Sequence, residues 1–176
     1  MKPILQHYKN LQVEAIYSLL KNVYTTSDSM SESFDEKFPD KESCSRYFSE
    51  LDSQHGSIVL FAEINNEPVG YLVIKPRHQA KIRHTSELNM GIHSGLRGSG
   101  VGKFLLTEAL KIAMNSKENE IIYLMVRADN FPAIRLYEQF GFDKLATLER
   151  DTKIGNTYYD GILMRKFVDS PSSKIS

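Results

Sequence analysis

The densest chemical signal in the chain is the run His93-Ser94-Gly95-Leu96-Arg97-Gly98-Ser99-Gly100-Val101-Gly102-Lys103. Gly98, Gly100 and Gly102 lie between a strand-like and a helix-like segment. With no side chains in the way, successive backbone N–H groups there turn toward one point, the geometry that holds a phosphate. A helix beginning at the same place adds about half a positive charge at its N-terminus. Arg97 and Lys103 add the means for charge-assisted hydrogen bonds. These residue types point to a diphosphate cradle, against the plainer reading of a glycine-rich turn with no ligand. Spacing then removes two versions of it. A Walker A loop needs glycine five residues before its Gly-Lys pair and Ser or Thr after it, where this chain has Arg97 and Phe104. A dinucleotide fingerprint starting at Gly98 would need its third glycine at Lys103, and no acid-terminated second strand follows at the proper distance.

Arg97-Gly98-Ser99-Gly100-Val101-Gly102 resembles the R/Q-x-x-G-x-G/A motif of the GNAT superfamily of acyl-CoA N-acyltransferases. Downstream, Asn130-Phe131-Pro132-Ala133-Ile134-Arg135-Leu136-Tyr137-Glu138-Gln139-Phe140-Gly141-Phe142 resembles that family's N-x-x-A-x-x-L-Y-E-x-x-G-F segment. The resemblance covers roughly residues 58–167, and the first 50 or so only in element order. It implies an α/β fold of the α+β type: a mixed, mostly antiparallel central sheet of about six to seven strands, splayed between strands 4 and 5 and flanked by about four helices. It also implies acetyl-CoA as co-substrate, with coenzyme A lying in that splay. The pyrophosphate would meet the backbone at Arg97, Gly98, Ser99, Gly100, Val101 and Gly102, with Lys103 and Asn130 beside it. The pantetheine would run along the strand edge at Met90 and Ile92. One departure is visible, since Ser94 stands where the family often has proline.

Asn130, Ala133 and Tyr137 are spaced three and four apart and share one helical face. In the family that face looks onto the cofactor, and Tyr137 matches the position that donates a proton to the departing thiolate. A phenol with a reference pKa of about 10 carries its proton at neutral pH. Glu87 matches where many relatives carry a general-base or water-ordering carboxylate, and Asp160 falls on a strand where some relatives contact the acceptor amine. Read without the family, Glu87 is a solvent-facing strand residue and Tyr137 an ordinary packing tyrosine. The need for a base depends on the amine. Deprotonating a lysine-like ammonium at pH 7 costs about 4.6 kcal/mol, whereas an α-ammonium with a pKa of about 7.7 costs only about 1 kcal/mol.

These residues need elements to position them. Leu11, Ala15, Ile16, Leu19 and Leu20 form a helical stripe ending near Tyr24. Residues 25–45 carry six acids against two lysines, a local charge of about −4. That stretch reads as a solvated loop with a short helix at about 41–51, or as a mobile acidic wall beside a cation site. Residues 58–63 and 69–75 form a hairpin around Asn65-Asn66-Glu67-Pro68. The basic connection 75–84 reads as a solvated loop, and 85–92 as a third strand. Val101, Leu105, Ala109, Ile112 and Ala113 share a helix face ending at Asn115-Ser116. Residues 121–126 read as a strand covered on both sides. Asn130 caps a helix that carries Pro132 in its first turn and Gly141 past its end. Gly155-Asn156 separates the last two strands, 143–150 and 157–167.

Composition limits what else the chain does. Its 176 residues suit one domain, expected over 1–168 with a short, frayed polar tail over 169–176. Lys plus Arg and Asp plus Glu number 22 each, which leaves no net field to hold nucleic acid. The longest apolar runs fall far short of the roughly 20 residues of a membrane span. A cytoplasmic protein is expected, with phenylalanines and tyrosines enough to cover a homodimer surface. Cys44 stands alone and reads as a small buried apolar residue. The five histidines offer no metal-ligand spacing, and Arg97 removes a serine-hydrolase elbow around Ser99. The expected activity is acetyl transfer from acetyl-CoA to a primary amine by direct attack in a ternary complex. The alternatives are a non-catalytic acyl-CoA-binding module, or an acetyltransferase of protein N-termini or ribosomal proteins.

Overall fold

Asn65 and Asn66 both adopt left-handed backbone angles, φ 54° and 64°. Such a pair closes a two-residue hairpin whose twist matches its strands, here β2 (Ile58–Ile64) and β3 (Glu67–Pro76). The computed structural model describes residues 2–168, so the tail expected over 169–176 lies outside the described residues. Around the hairpin the described chain forms β1 (Ile4–Gln6), α1 (Val13–Thr25), α2 (Phe34–Lys37), α3 (Lys41–Ser53), β4 (Thr85–Ile92), α4 (Val101–Ser116), β5 (Ile121–Arg127), α5 (Phe131–Gln139), β6 (Asp143–Ile154) and β7 (Thr157–Phe167). No described helix is long and apolar enough to cross a membrane.

The seven strands form one sheet in the order β1-β2-β3-β4-β5-β7-β6. All neighbours are antiparallel except β4 and β5. That parallel pair is short, joining only Thr85 to Ile121, Ser86 to Ile122 and Glu87 to Tyr123. Beyond Glu87, β4 continues on β3 as far as the Ile92–Gly70 pair, while β5 continues on β7 as far as Arg127–Gly161. Each strand keeps its outer partner and loses its inner one, which opens a splay in mid-sheet at the position the resemblance implies.

Helix α4 covers one face of the sheet, burying Val101, Leu105, Leu106, Ala109, Leu110 and Ala113 against residues such as Leu72, Ile74 and Ile122. The opposite face is closed by α1 and α3, with Leu20, Val23, Phe38 and Phe48 meeting Phe61, Tyr71 and Val73. Cys44 is fully buried there, and burial pushes its thiol up to about 12, so the thiolate does not form near neutrality.

Two short elements are added to those expected, and two sequence expectations change. Strand β1 gives no sequence signal, being three residues without alternation. Five helices flank the sheet where about four were expected, the added one being the single-turn α2, which rises inside the expected loop and inserts Phe34, followed by Phe38, into the aromatic core. Ile112 is 37% exposed, and Leu106 and Leu110 take its place in the core. Strand β5 is buried on one face only, leaving Met125 47% exposed.

Gly91 shows how tightly β4 is held. A Cβ there would lie 2.6 Å from both the Tyr71 ring and Val23. Gly91→Ala is therefore expected to destabilise the protein by about 1–3 kcal/mol, the usual cost of overpacking, read as a lowered Tm in thermal melts.

Candidate active site

The splay opens into a cleft of about 1060 Å³ that passes from one face of the sheet to the other. Gly98, Gly100, Lys103 and Tyr137 line it on the α4/α5 side, and Glu87 and Asn89 on the α1 side.

The glycine loop forms its cradle from local causes. Gly98 and Gly100 have φ of +77° and +94°, which L side chains rarely adopt, and a Cβ at either would meet nothing within 4 Å. Helix α4 starts immediately afterwards with Gly100 as its N-cap and no side-chain cap. Among the described residues, no backbone carbonyl accepts from the amides of Gly98, Gly100, Val101, Gly102 or Lys103. The result is a set of open donors at a helix N-terminus facing empty space, which fits a diphosphate.

Not every residue of the motif serves the cradle. Ser99 does not line the cleft, because its amide and hydroxyl both donate to the Leu96 carbonyl, at 3.2 and 2.6 Å. Val101 offers its amide only, since its side chain is buried in the core. Gly102 makes room for packing, as a Cβ there would lie 3.3 Å from Leu136. The Arg97 guanidinium turns away from the cradle and donates to the Thr26 carbonyl at 3.0 Å and the Thr26 hydroxyl at 2.8 Å. Asn130 borders the cleft, but its side-chain oxygen accepts from the Ala133 amide at 3.3 Å as the α5 cap. Met90 and Ile92 both line the cleft on a strand edge that has lost β5 as a partner. Ser94, where the family often has proline, is tied to α1, its amide donating to Asn22 Oδ1 at 2.8 Å.

The Tyr137 side chain is buried between α5 and the sheet, its ring 5.6 Å from that of Phe142. Burial pushes its phenol up to about 12, so the proton stays on through the neutral range. Glu87 is the last residue of the β4–β5 ladder and stands open at the mouth of the splay, with Arg77 Nη2 3.5 Å from its Oε1. Arg77 in turn lies over the Tyr123 ring, 5.4 Å from its centre. Asp160 does not line the cleft, and its Oδ1 accepts from the Arg150 amide at 2.9 Å.

The acidic wall is not there. Glu36 and Asp40 cap α2 and α3, Glu32 pairs with Lys37 at 2.6 Å, and Glu42 pairs with Arg46 at 3.2 Å. What faces the cleft from this stretch is Ser27, Ser29, Met30 and Ser31. Two arginines hold that loop. Arg97 grips Thr26, and Arg127 Nη1 donates to the Asp28 carbonyl at 2.7 Å. Asp129 fixes Arg127 with bonds of 2.6 and 3.0 Å, and that pairing holds the Asp129 carboxyl below its ordinary range.

Residues 13–142 match the model of the Acetyltransferase (GNAT) family. The chain belongs to that family. An N-alpha-acetyltransferase of Sulfolobus acidocaldarius is 30% identical over 123 residues, which cover 64% of this chain and 68% of the relative. The L-amino acid N-acetyltransferase AaaT of Escherichia coli is 27% identical over 107 residues, covering 61% and 66%. The chain thus spans about two thirds of the length of these relatives. A GNAT-family acetyltransferase of Streptococcus pneumoniae superposes with a TM-score of 0.86 at 24% identity, covering 94% of this chain and 99% of that one. The protein yncA of Salmonella typhimurium, solved with its cofactor acetyl-CoA, gives 0.84 at 18% identity, covering 99% and 98%. At these identities the structural likeness establishes the GNAT fold.

Sequence reasoning missed Arg77, Tyr123, Met125, Arg127 and Asp151 in this cleft. Alternation along β5 singles out Tyr123 and Met125 as a face, but only the splay shows that the face meets an opening.

Proposed function

We propose that residues 2–168 act as one acetyl-CoA-dependent N-acetyltransferase, in which a primary amine attacks the bound thioester directly. The observation that carries this reading is the continuous cleft that joins the glycine cradle on one face of the sheet to Glu87 on the other. When bound, acetyl-CoA supplies an activated acyl group. The residues of this chain supply the rest. The amides of Gly98 and Gly100 to Lys103 hold the pyrophosphate, and the free edge of β4 at Met90 and Ile92 orients the pantetheine. Holding both reactants in one cleft turns a bimolecular encounter into a local one. Glu87 accepts the proton that the amine must lose, directly or through a water, and Tyr137 faces the departing sulfur with a protonated phenol.

Of the relatives named above, one is by name an N-alpha-acetyltransferase and another an L-amino acid N-acetyltransferase, and the arithmetic of proton removal favours an α-amine here. An α-ammonium needs little help from a base at neutral pH, whereas a lysine-type ammonium needs about 4.6 kcal/mol. The test is coenzyme binding by calorimetry, followed by thiol release against a panel of amino acids, peptide amides, lysine side-chain analogues and polyamines. Faster turnover of α-amines than of lysine-type amines is the expected result; coenzyme binding with no thiol release from any amine would replace the enzyme by a binding module. Glu87→Gln is expected to slow acetylation of a lysine-type amine by about a hundredfold and of an α-amine by about tenfold or less. Equal losses for the two classes would remove the base role from Glu87.

A further inference from the structure

Strand β6 contains an irregularity that regular pairing with β7 does not require. Leu148 pairs with Gly161 and Thr152 with Tyr159, so Glu149, Arg150 and Asp151 together oppose the single residue Asp160. Arg150 takes a left-handed φ of 56°, and its amide donates to Asp160 Oδ1 at 2.9 Å. Bulges of this kind re-aim side chains, and a non-glycine residue in the left-handed region persists only where its surroundings hold it. Here the re-aimed side chain is Asp151. Its Oδ2 would lie 2.7 Å from a Cβ on Gly161, so the carboxylate sits in space that only a glycine leaves free. Asp151 borders the same cleft as Glu87, beside Met125, whose sulfur would lie 3.0 Å from that Cβ. Gly161 pairs with Arg127 and Glu87 with Tyr123, so the two carboxylates border the same cleft at places roughly 13 Å apart along β5.

Their surroundings differ. Glu87 has Arg77 beside it. Among the described residues, Asp151 has no ion-pair partner, and the nearby Arg127 is already engaged by Asp129 and the Asp28 carbonyl. Asp151 is exposed, so water and salt screen its charge, yet a carboxylate left unneutralised at the rim of a cleft still attracts a cation. Any primary amine with a pKa of about 7.7 or more arrives at neutral pH largely as an ammonium.

We infer that Asp151 is the acceptor-docking residue of this cleft, binding the incoming ammonium before its proton is lost. The inference rests on the acetyltransferase reading only for the name of the acceptor; the docking itself is a binding property. Asp151 then selects primary ammonium groups as they enter, and the amine moves on along the cleft before Glu87 takes its proton.

The test uses the full chain with L-alaninamide, which carries one ammonium and no carboxylate. Asp151→Asn is expected to raise KM for this probe by about two- to fivefold, the effect of losing one solvent-exposed ion pair, with the change in KM rather than kcat. The salt dependence of KM seen in the unaltered protein should weaken in the variant. Gly161→Ala keeps the carboxylate but pushes it aside, and should raise KM in the same direction. Unchanged KM and unchanged salt dependence in Asp151→Asn would overturn the proposal. Should the protein bind coenzyme A but release no thiol, calorimetric titration of L-alaninamide into the coenzyme-loaded protein reads the same comparison. Should coenzyme A itself not bind, the acetyltransferase reading fails, and titration of the probe into the unloaded protein still decides whether Asp151 holds it.

Discussion

Gly100→Glu is expected to weaken coenzyme A binding by roughly tenfold or more, measured as Kd by calorimetry. Two effects act together. The backbone at Gly100 has φ +94°, so any L residue there is strained by about 1–2 kcal/mol. The new carboxylate also projects into the space that open amides and the α4 N-terminus reserve for an anion. Because a Cβ at this position meets no protein atom within 4 Å, the substitution needs no repacking of the core. Gly100→Ala separates the two effects, since it carries the strain without the charge. A Gly100→Glu protein with unaltered coenzyme affinity would move the pyrophosphate elsewhere.

Tyr137→Phe is expected to lower kcat by about tenfold to a hundredfold while leaving coenzyme affinity within about twofold. The size follows from acidity. The buried phenol sits at about 12, whereas a free thiol titrates near 8.5, so complete transfer of its proton to the departing thiolate is uphill by about 3.5 units. In the proposed role Tyr137 would help mainly by donating a hydrogen bond to the sulfur as charge develops on it, which places the expected loss at the low end of acid catalysis. An unchanged kcat would leave Tyr137 a packing residue. The same burial predicts a stability effect with a definite sign. An unfolded chain loses the phenol proton near pH 10 and the folded protein only near 12, so the folded state is disfavoured as pH rises through that window. Tyr137→Phe should flatten this alkaline loss in pH-dependent melts.

Signals carried by neighbours in the chain are legible in the residues alone. The Asn65-Asn66 turn, the Asn130 cap and the left-handed glycine at Gly141 each depend on a few consecutive residues, and each is found where expected. The splay is legible only through the resemblance, because nothing in β4 or β5 read separately says that their pairing stops at Glu87 and Tyr123. The misreadings have one cause. Residues 25–45 read as an acidic surface because charge can be counted along the chain, whereas capping and ion pairing depend on where helices start. Residues 121–126 read as doubly covered because an apolar run does not distinguish a buried face from one that lines a cleft.

The sequence by itself therefore determined the glycine loop with its open amides and the order of elements that present it, since backbone freedom at glycine and helix starts are set within a few residues. Tertiary structure alone decided which side chains line the cleft. Arg97 meets Thr26 across 71 residues and Arg127 meets Asp28 across 99, and Asp151 reaches the cleft through a bulge that exists only against β7. Contacts between positions so far apart leave no local spacing to read, because they form only when the sheet has assembled and its two inner strands have parted.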